Sequence, residues 1–352
     1  MSVIASLQTF DSRGKTAYMP YASTYQNEYD IPVTRLDYRK PLRLYRKMKR
    51  FIGVYEALSK ASPEVLFIHG CQFLDIDKVI RYLKEHPKVK VFVDNHADFS
   101  NSATNALSLK LLHGVIWKHC AHRIDPYVTK WYGVLPARVD FLKNIYQLPE
   151  EKIELLVMGA DDDKVSEALD PSVREQIRER YHVDRDDFLI MTGGKIDMAK
   201  QQTILLMEAV NRLERGDVKL IVFGSVIPEL KDRVEANCSD RVQYIGWVQS
   251  EDSYRYFAAA DLVVFPGRHS VFWEQVAGLG VPMICKYWDG TTHVDLGGNV
   301  VFLHEDSADE IYGILCDMIL TQGKYEKMKT TAERGKEVFS YNDIARRCLK
   351  GS

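Results

Sequence analysis

Residues 265–284 read FPGRHSVFWEQVAGLGVPMI, and the way this stretch folds decides the architecture. The run before it, Asp261-Leu262-Val263-Val264-Phe265, is apolar and is closed by Pro266 and Gly267, which is the pattern of a short buried strand. Ser270 then stands where a helix N-cap belongs. Val271 to Glu274 would form the first turn, and Val276, Ala277 and Leu279 one apolar face. Gly280 and Pro282 would end the helix, and Met283-Ile284-Cys285 would begin another strand. A strand–loop–helix–strand unit places the loop and the helix N-terminus at the carboxyl edge of a sheet, where open α/β folds bind ligands. Glu274 either complements the helix dipole there or faces a ligand.

Moving outward, the second half repeats this alternation. Phe188–Thr192, Val218–Phe223 and Val242–Val248 read as strands. Lys200–Leu213 has helical apolar spacing at Ile204, Met207, Ala209, Val210 and Leu213, and Ser253–Ala260 reads as a helix. The series predicts an α/β chain with a parallel, doubly wound sheet and right-handed crossovers. In the first half, Val65–Ile68 and Val89–Val93 are buried strands, residues 105–120 are helical, and Leu155–Val157 is a last strand. Ser2–Leu7 reads as a strand, but Thr9–Pro32 reads as loop without a glycine-rich turn, so the first βα unit of this half is missing or reshaped. A boundary is expected within 161–186, giving domains at 1–163 and 164–325. Residues 326–352 form a C-terminal helix that packs back on the first domain.

The length of 352 residues favours two domains. The 46% hydrophobic and 27% charged residues suit globular units with sizeable cores. The net charge of −2 gives no argument for nucleic acid, but the charge is split: residues 1–160 hold 23 Lys+Arg against 16 Asp+Glu, and the remainder 24 against 33. Six cysteines without paired spacing suggest reduced thiols and a cytoplasmic setting, and they offer no metal motif. No apolar run approaches 18 residues, so no membrane span is expected.

Two loops carry the chemistry. In MTGGKIDMAKQ (191–201), Gly193 and Gly194 let a ligand approach the backbone closely. Lys195 and Lys200 flank the start of the next helix, and two ammonium groups with helix N–H groups suit a diphosphate. The plain alternative is two solvated lysines beside a turn. In VKVFVDNHADFSNS (89–102), His96 follows a buried strand, and Asp94, Asn95, Asp98 and Ser100 surround it. The alternative there is a polar loop capped by its own Asn and Asp side chains. His69 also ends a strand and reads chiefly as a packing residue, while His113, His119 and His122 fall on a helix.

Taken together, these stretches resemble GT-B glycosyltransferases, in particular the retaining glycosyltransferase family 4. In that family a Gly-Arg/Lys loop and a second basic residue hold the donor diphosphate; Lys195 and Lys200 match them. A glutamate in E-A-x-x-x-G-x-P holds the donor ribose; Glu274, Gly280 and Pro282 are read as its counterparts, with Gln275 where alanine is usual and one residue more between Glu274 and Gly280 than the pattern has. LPEEKIELLVMGAD (148–161) resembles the interdomain segment of the family, and VQYIGWV resembles the stretch near the nucleotide base. The resemblance covers about residues 60–340.

It implies two Rossmann-like domains facing across a cleft, and transfer of a sugar from a nucleoside diphosphate sugar to a carbohydrate or lipid-linked acceptor. Retention, metal independence and a role in cell-surface polysaccharide or glycoconjugate synthesis come with it. By this reading Gly194, Lys195, Lys200, Ser270 and Val271 bind the diphosphate, and Glu274 binds the ribose. Gly246, Trp247 and Val248 lie at the base, and Asp98, Arg268 and His269 at the donor sugar or acceptor. His96 is the catalytic residue near the anomeric carbon. The donor is a substrate, a UDP-sugar by expectation, and neither a cofactor nor a metal is called for.

The chain departs from the pattern in two places: the second family glutamate, eight positions before the ribose glutamate, falls on Pro266, and the glycine-rich first loop of the first half is not seen. A catalytically inactive GT-B subunit that binds nucleotide sugar or acts as a scaffold is therefore the rival reading. A Rossmann oxidoreductase lacks its G-x-G-x-x-G with a following acidic residue. Finally, residues 35–60 are basic and interleaved with Leu, Tyr, Met and Phe. They read as an amphipathic helix for an anionic lipid surface, or as a solvated helix on the core. The lipid reading puts the protein at the inner membrane face.

Overall fold

The computed structural model describes residues 1–10, 16–321 and 323–350. The chain forms two compact units, Met1–Leu156 and Val157–Lys350, and both are built on parallel sheets.

The first unit opens with β1 (Val3–Ser6), a hairpin of β2 (Gln8–Phe10) and β3 (Thr16–Tyr18), then β4 (Ser23–Gln26) and β5 (Pro32–Leu36). β1 pairs parallel to β5, and β4 antiparallel to it. Residues 11–15 lie outside the described ones, and about half of the described residues in the expected loop over Thr9–Pro32 thus fall in short strands. They are three or four residues long and mostly exposed, so they carry too little apolar alternation to be seen in sequence. Among the described residues no helix precedes Leu42; the hairpin follows β1 where a glycine loop and helix would stand.

The basic segment 35–60 is not one helix. It runs from the end of β5 through helix Leu42–Lys47, a Tyr38–Phe51 bridge and a left-handed Gly53 to helix Val54–Ala61. Buried Asp75 holds the break together. Its Oδ2 accepts from the Phe51 N–H at 2.5 Å, and Arg39 and Arg50 stand 3.9 and 3.6 Å from its Oδ1. A buried carboxylate with donors and cations outweighs the helical periodicity of the segment.

The main sheet of this unit takes β6 (Val65–His69), β7 (Lys90–Asn95), β8 (Lys130–Gly133) and β9 (Ile153–Leu155) in chain order, all parallel. β9 ends at Leu155, two residues before the end of the expected last strand. Val91, Phe92 and Val93 of β7 are fully buried, and helix Ile76–Glu85 lays Ile76, Val79, Ile80 and Leu83 into one core with Val91 and Val93. Each such side chain contributes about 1.5–3 kcal/mol on burial.

The second unit holds β10 (Phe188–Gly193), β11 (Val218–Phe223), β12 (Val242–Tyr244), β13 (Leu262–Phe265), β14 (Met283–Lys286) and β15 (Val300–Leu303). Their order in the sheet is β12-β11-β10-β13-β14-β15, all parallel. The chain winds outward from β10 to β12, returns to lay β13 against β10, and winds the other way. That reversal opens a crevice at the carboxyl ends of β10 and β13. All four residues of β13 are buried, as its unbroken apolar run requires. Helix Phe272–Leu279 follows and ends at Gly280, whose φ of 72° is the left-handed stop that glycine supplies. Ser270 is not its N-cap: that position falls to Val271, without a side-chain cap, and Ser270 gives only its carbonyl, to the Trp273 N–H. The stretch 324–350 is three segments, Lys324–Gly335, a short 3-10 turn Lys336–Phe339, and Tyr341–Lys350.

Candidate functional site

At the crevice, the loops after β10 and β13 line one pocket. Thr192, Gly193, Gly194, Lys195, Lys200 and Thr203 form one wall; Phe265, Pro266, Gly267, Arg268 and Ser270 form the other. Of the residues assigned to the diphosphate, Gly194, Lys195, Lys200 and Ser270 meet here, and Arg268 joins them. Val271 is not part of the lining. Thr192 and Thr203 were not foreseen; each follows a signal already present, a strand end and a helix start next to GGK.

The glycines permit this shape. Gly194 and Gly224 have φ of 128° and 130°, and a Cβ on Gly224 would fall 1.8 Å from the Gly194 carbonyl oxygen. The Gly194 N–H donates to Phe223 O, and the Gly224 N–H to Gly246 O, so the ends of three neighbouring strands are tied in series. Lys195 lies 3.2 Å from Asp197 Oδ2. Burial lowers the pKa of Lys200, and the Arg268 charge adds to the effect against the opposing pull of Asp197. Cations gathered in a partly desolvated pocket repel one another until an anion enters.

Glu274 is outside the lining of this pocket and fully buried. Its Oε1 accepts from His269 Nε2 and from His293 Nε2, each at 2.8 Å. Desolvation pushes its pKa up, but the two imidazoles outweigh that and set it at about 2, so the carboxylate is ionised. Its Oε2 is buried with no partner. His269, expected at the sugar, is thus bound to Glu274. His293, in the loop after β14, was not foreseen; the polar DGTTH stretch behind a buried strand was the available signal. Arg268 is exposed, with its guanidinium 5.9 Å from the Trp288 ring centre. Trp247 is exposed and Val248 half-buried beyond β12, and Gly246 has a left-handed φ of 80°.

The first unit has a parallel cluster at the ends of β6 and β7. Strand register sets His69 beside Asp94. Asp94 Oδ2 is 2.8 Å from His69 Nδ1 and 3.0 Å from His96 Nε2, and the two rings lie 4.2 Å apart. Burial raises the Asp94 pKa, yet the two histidines bring it below the ordinary value; the Asp94 hydrogen bond raises that of His69. His69 is therefore part of this cluster and not a packing residue. Asp98, expected at the sugar or acceptor, is buried: its Oδ2 accepts from Arg138 Nε at 3.0 Å and its Oδ1 from the Ser100 N–H at 2.7 Å. His113 is buried between Ser102 and Tyr146. Among the described residues, His69–Asp94–His96 and His269–Glu274–His293 are the groups whose ligand atoms come close enough for a cation. In both, the histidine nitrogens converge on one carboxylate oxygen at hydrogen-bonding distance.

Residues 186–312 match the family model for glycosyl transferases group 1. The chain is 22% identical over 217 residues to an uncharacterized glycosyltransferase of Methanocaldococcus jannaschii, covering 58% of this chain and 54% of that one. It is 22% identical over 234 residues to the mannosylfructose-phosphate synthase of Agrobacterium fabrum, covering 61% and 50%. It thus spans about half the length of these curated relatives. Its fold matches that of Anabaena HepE, solved in complex with UDP, at a TM-score of 0.65 with 15% identity, over 92% of this chain and 86% of that one. The fold is that of GT-B proteins, and residues 186–312 within it carry the match to glycosyl transferases group 1. The group 1 segment contains the whole lining of the pocket and the cluster around Glu274. The GT-B fold accounts for two Rossmann-like domains, and no helix among the described residues is long and apolar enough to cross a membrane.

Proposed function

We propose that the chain transfers a hexose, with retention, from a nucleoside diphosphate sugar to a carbohydrate or lipid-linked acceptor, in the synthesis of a cell-surface polysaccharide or glycoconjugate. The reading rests on one observation above all: Gly194, Lys195, Lys200, Arg268 and Ser270 line a single pocket at the crevice of the second unit. Two lysines, an arginine and open backbone offer the charge and N–H groups that a leaving diphosphate needs. The UDP found with the Anabaena relative supports UDP as the nucleotide. In this proposal the cations take the place of a metal, Glu274 accepts from the ribose, and Gly246–Val248 flank the base. His96 works at the anomeric carbon. The first unit contacts an anionic membrane surface from the cytoplasmic side.

Titration calorimetry with UDP in the presence of EDTA tests the core of it. Each charge-assisted contact contributes about 1.5–3 kcal/mol, so Lys200→Ala should weaken binding by about tenfold or more. Equal affinity in wild type and variant, or wild-type binding that needs a divalent ion, would sink the assignment. A second reading, an inactive subunit that only binds the donor, is favoured by Pro266 standing where the family has an acidic residue near the sugar. Release of UDP from UDP-sugar by the full chain separates the two.

A further inference from the structure

Glu274 is fully buried and ionised, and a carboxylate in that position is tolerated only when donors surround it. Its two donors come from different loops: His269 from the loop between β13 and the helix, His293 from the loop after β14. Both reach the same oxygen, Oε1. The His293 side chain is 1% exposed and that of His269 13%, so neither hydrogen bond competes with bulk water. The His269 ring is held in turn by Trp273, edge to face at 5.0 Å. The buried Nδ1 of His293 has no partner, so the ring is held through Nε2 alone. All the donors thus fall on one oxygen, and Oε2 is left buried and unpaired.

A helix-dipole role does not need this arrangement. A carboxylate that only complements the helix N-terminus would lie toward water or bond backbone N–H groups. Here two side chains fix the plane of the carboxylate and occupy one of its oxygens. Ser270, next to His269 in the chain, lines the pocket, so the clamp adjoins the place where the nucleotide is proposed to lie.

We infer that His269 and His293 are positioning residues: they hold the Glu274 carboxylate in one orientation and leave Oε2 as its acceptor for a ribose hydroxyl. The inference rests on the proposed reading of Glu274 as the ribose contact. An unpaired buried acceptor is costly when empty and is satisfied when a hydroxyl donates to it. Discrimination between a ribose and a ribose lacking its hydroxyls should therefore depend on both histidines, although neither touches the nucleotide.

The test is calorimetry on the full chain with UDP, GDP and ADP, each beside its 2′,3′-dideoxy counterpart. Wild type should bind one of the diphosphates about tenfold or more tighter than its dideoxy form. In His269→Ala and His293→Ala that ratio should fall toward one, with affinity for the dideoxy form little changed; His269→Gln and His293→Gln, which keep a donor near Nε2, should restore it. Where an alanine variant fails to fold, asparagine takes its place, being polar but too short to reach Oε1, and the same outcomes decide. A ratio kept in both truncated variants but lost in Glu274→Gln overturns the clamp alone and leaves Glu274 as the ribose contact. A wild-type ratio near one overturns the ribose reading and the clamp with it, as does failure to bind any of the three diphosphates.

Discussion

The two histidine–carboxylate clusters separate what a residue shows in sequence from what it shows in space. Lys195 and Lys200 were legible because both flank one turn after one strand, and the pocket takes both. His293 was not, because its partner lies 19 residues away on another loop. His69 was read as packing because nothing in FIHG reveals that strand register sets it beside Asp94. That pair carries a pH prediction. The His69 pKa is raised above 6.5, so its contribution to stability is complete below that value and is lost as pH rises through the folded-state value. The Asp94 pKa is depressed below 3.8, so its contribution is present above 3.8 and is lost as pH falls. The pair therefore stabilises most between those two values. Because His69 is largely exposed, the effect is screened and small. His69→Asn can keep a donor near Nδ1 but cannot titrate. Its melting temperature, followed from acid to mildly alkaline pH, should decline less on the alkaline side than that of wild type. Parallel curves would show that the His69–Asp94 pair does not contribute.

Among elements, β10, β11 and β13 were legible nearly to the residue, since a buried parallel strand is an unbroken apolar run between turn residues; β12 ends at Tyr244, four residues short of the expected strand, and β15 was not foreseen. The first unit was harder. Its opening strands are short and exposed, and its basic segment keeps helical spacing that Asp75 and Gly53 override through contacts distant in sequence. Ser270 looked like a cap because its type and place were right; the helix begins one residue later and without one. The element on which the pocket depends most is the pair of turns after β10 and β11. Gly224→Ala would put a methyl 1.8 Å from the Gly194 oxygen at a φ of 130°. Backbone strain alone costs ~1–3 kcal/mol, and relief requires Gly194 to move. The variant should unfold at lower denaturant and bind UDP more weakly. A variant with unchanged UDP affinity would show that the Gly194 carbonyl position does not shape the pocket.

At the scale of the molecule, the division into two α/β units was legible from length and alternation. The basic residues of the first unit divide by role. Arg39 and Arg50 serve Asp75, and Arg46 lies over the Tyr18 ring at 3.8 Å. Lys40 is exposed, as are Leu42, Arg43, Leu44 and Lys47 on the short helix that follows it. The proposed membrane contact falls to these. Sedimentation with anionic vesicles should decrease as salt rises, since the attraction decays over about 8 Å at physiological ionic strength. It should vanish with neutral vesicles and in the triple variant Lys40→Glu, Arg43→Glu, Lys47→Glu. Equal sedimentation with neutral and anionic lipid, or none with either, would remove the membrane claim.

The uneven charge has one more consequence. The first unit carries 23 basic against 16 acidic residues, and the rest of the chain 24 against 33, so a net charge of −2 conceals two bodies of opposite sign. Such a molecule is an electric dipole. A negatively charged plane attracts one end and repels the other, and this torque acts even where the net attraction is slight. Near such a plane the chain is oriented before it is bound, the basic unit drawn toward the plane and the acidic unit repelled from it.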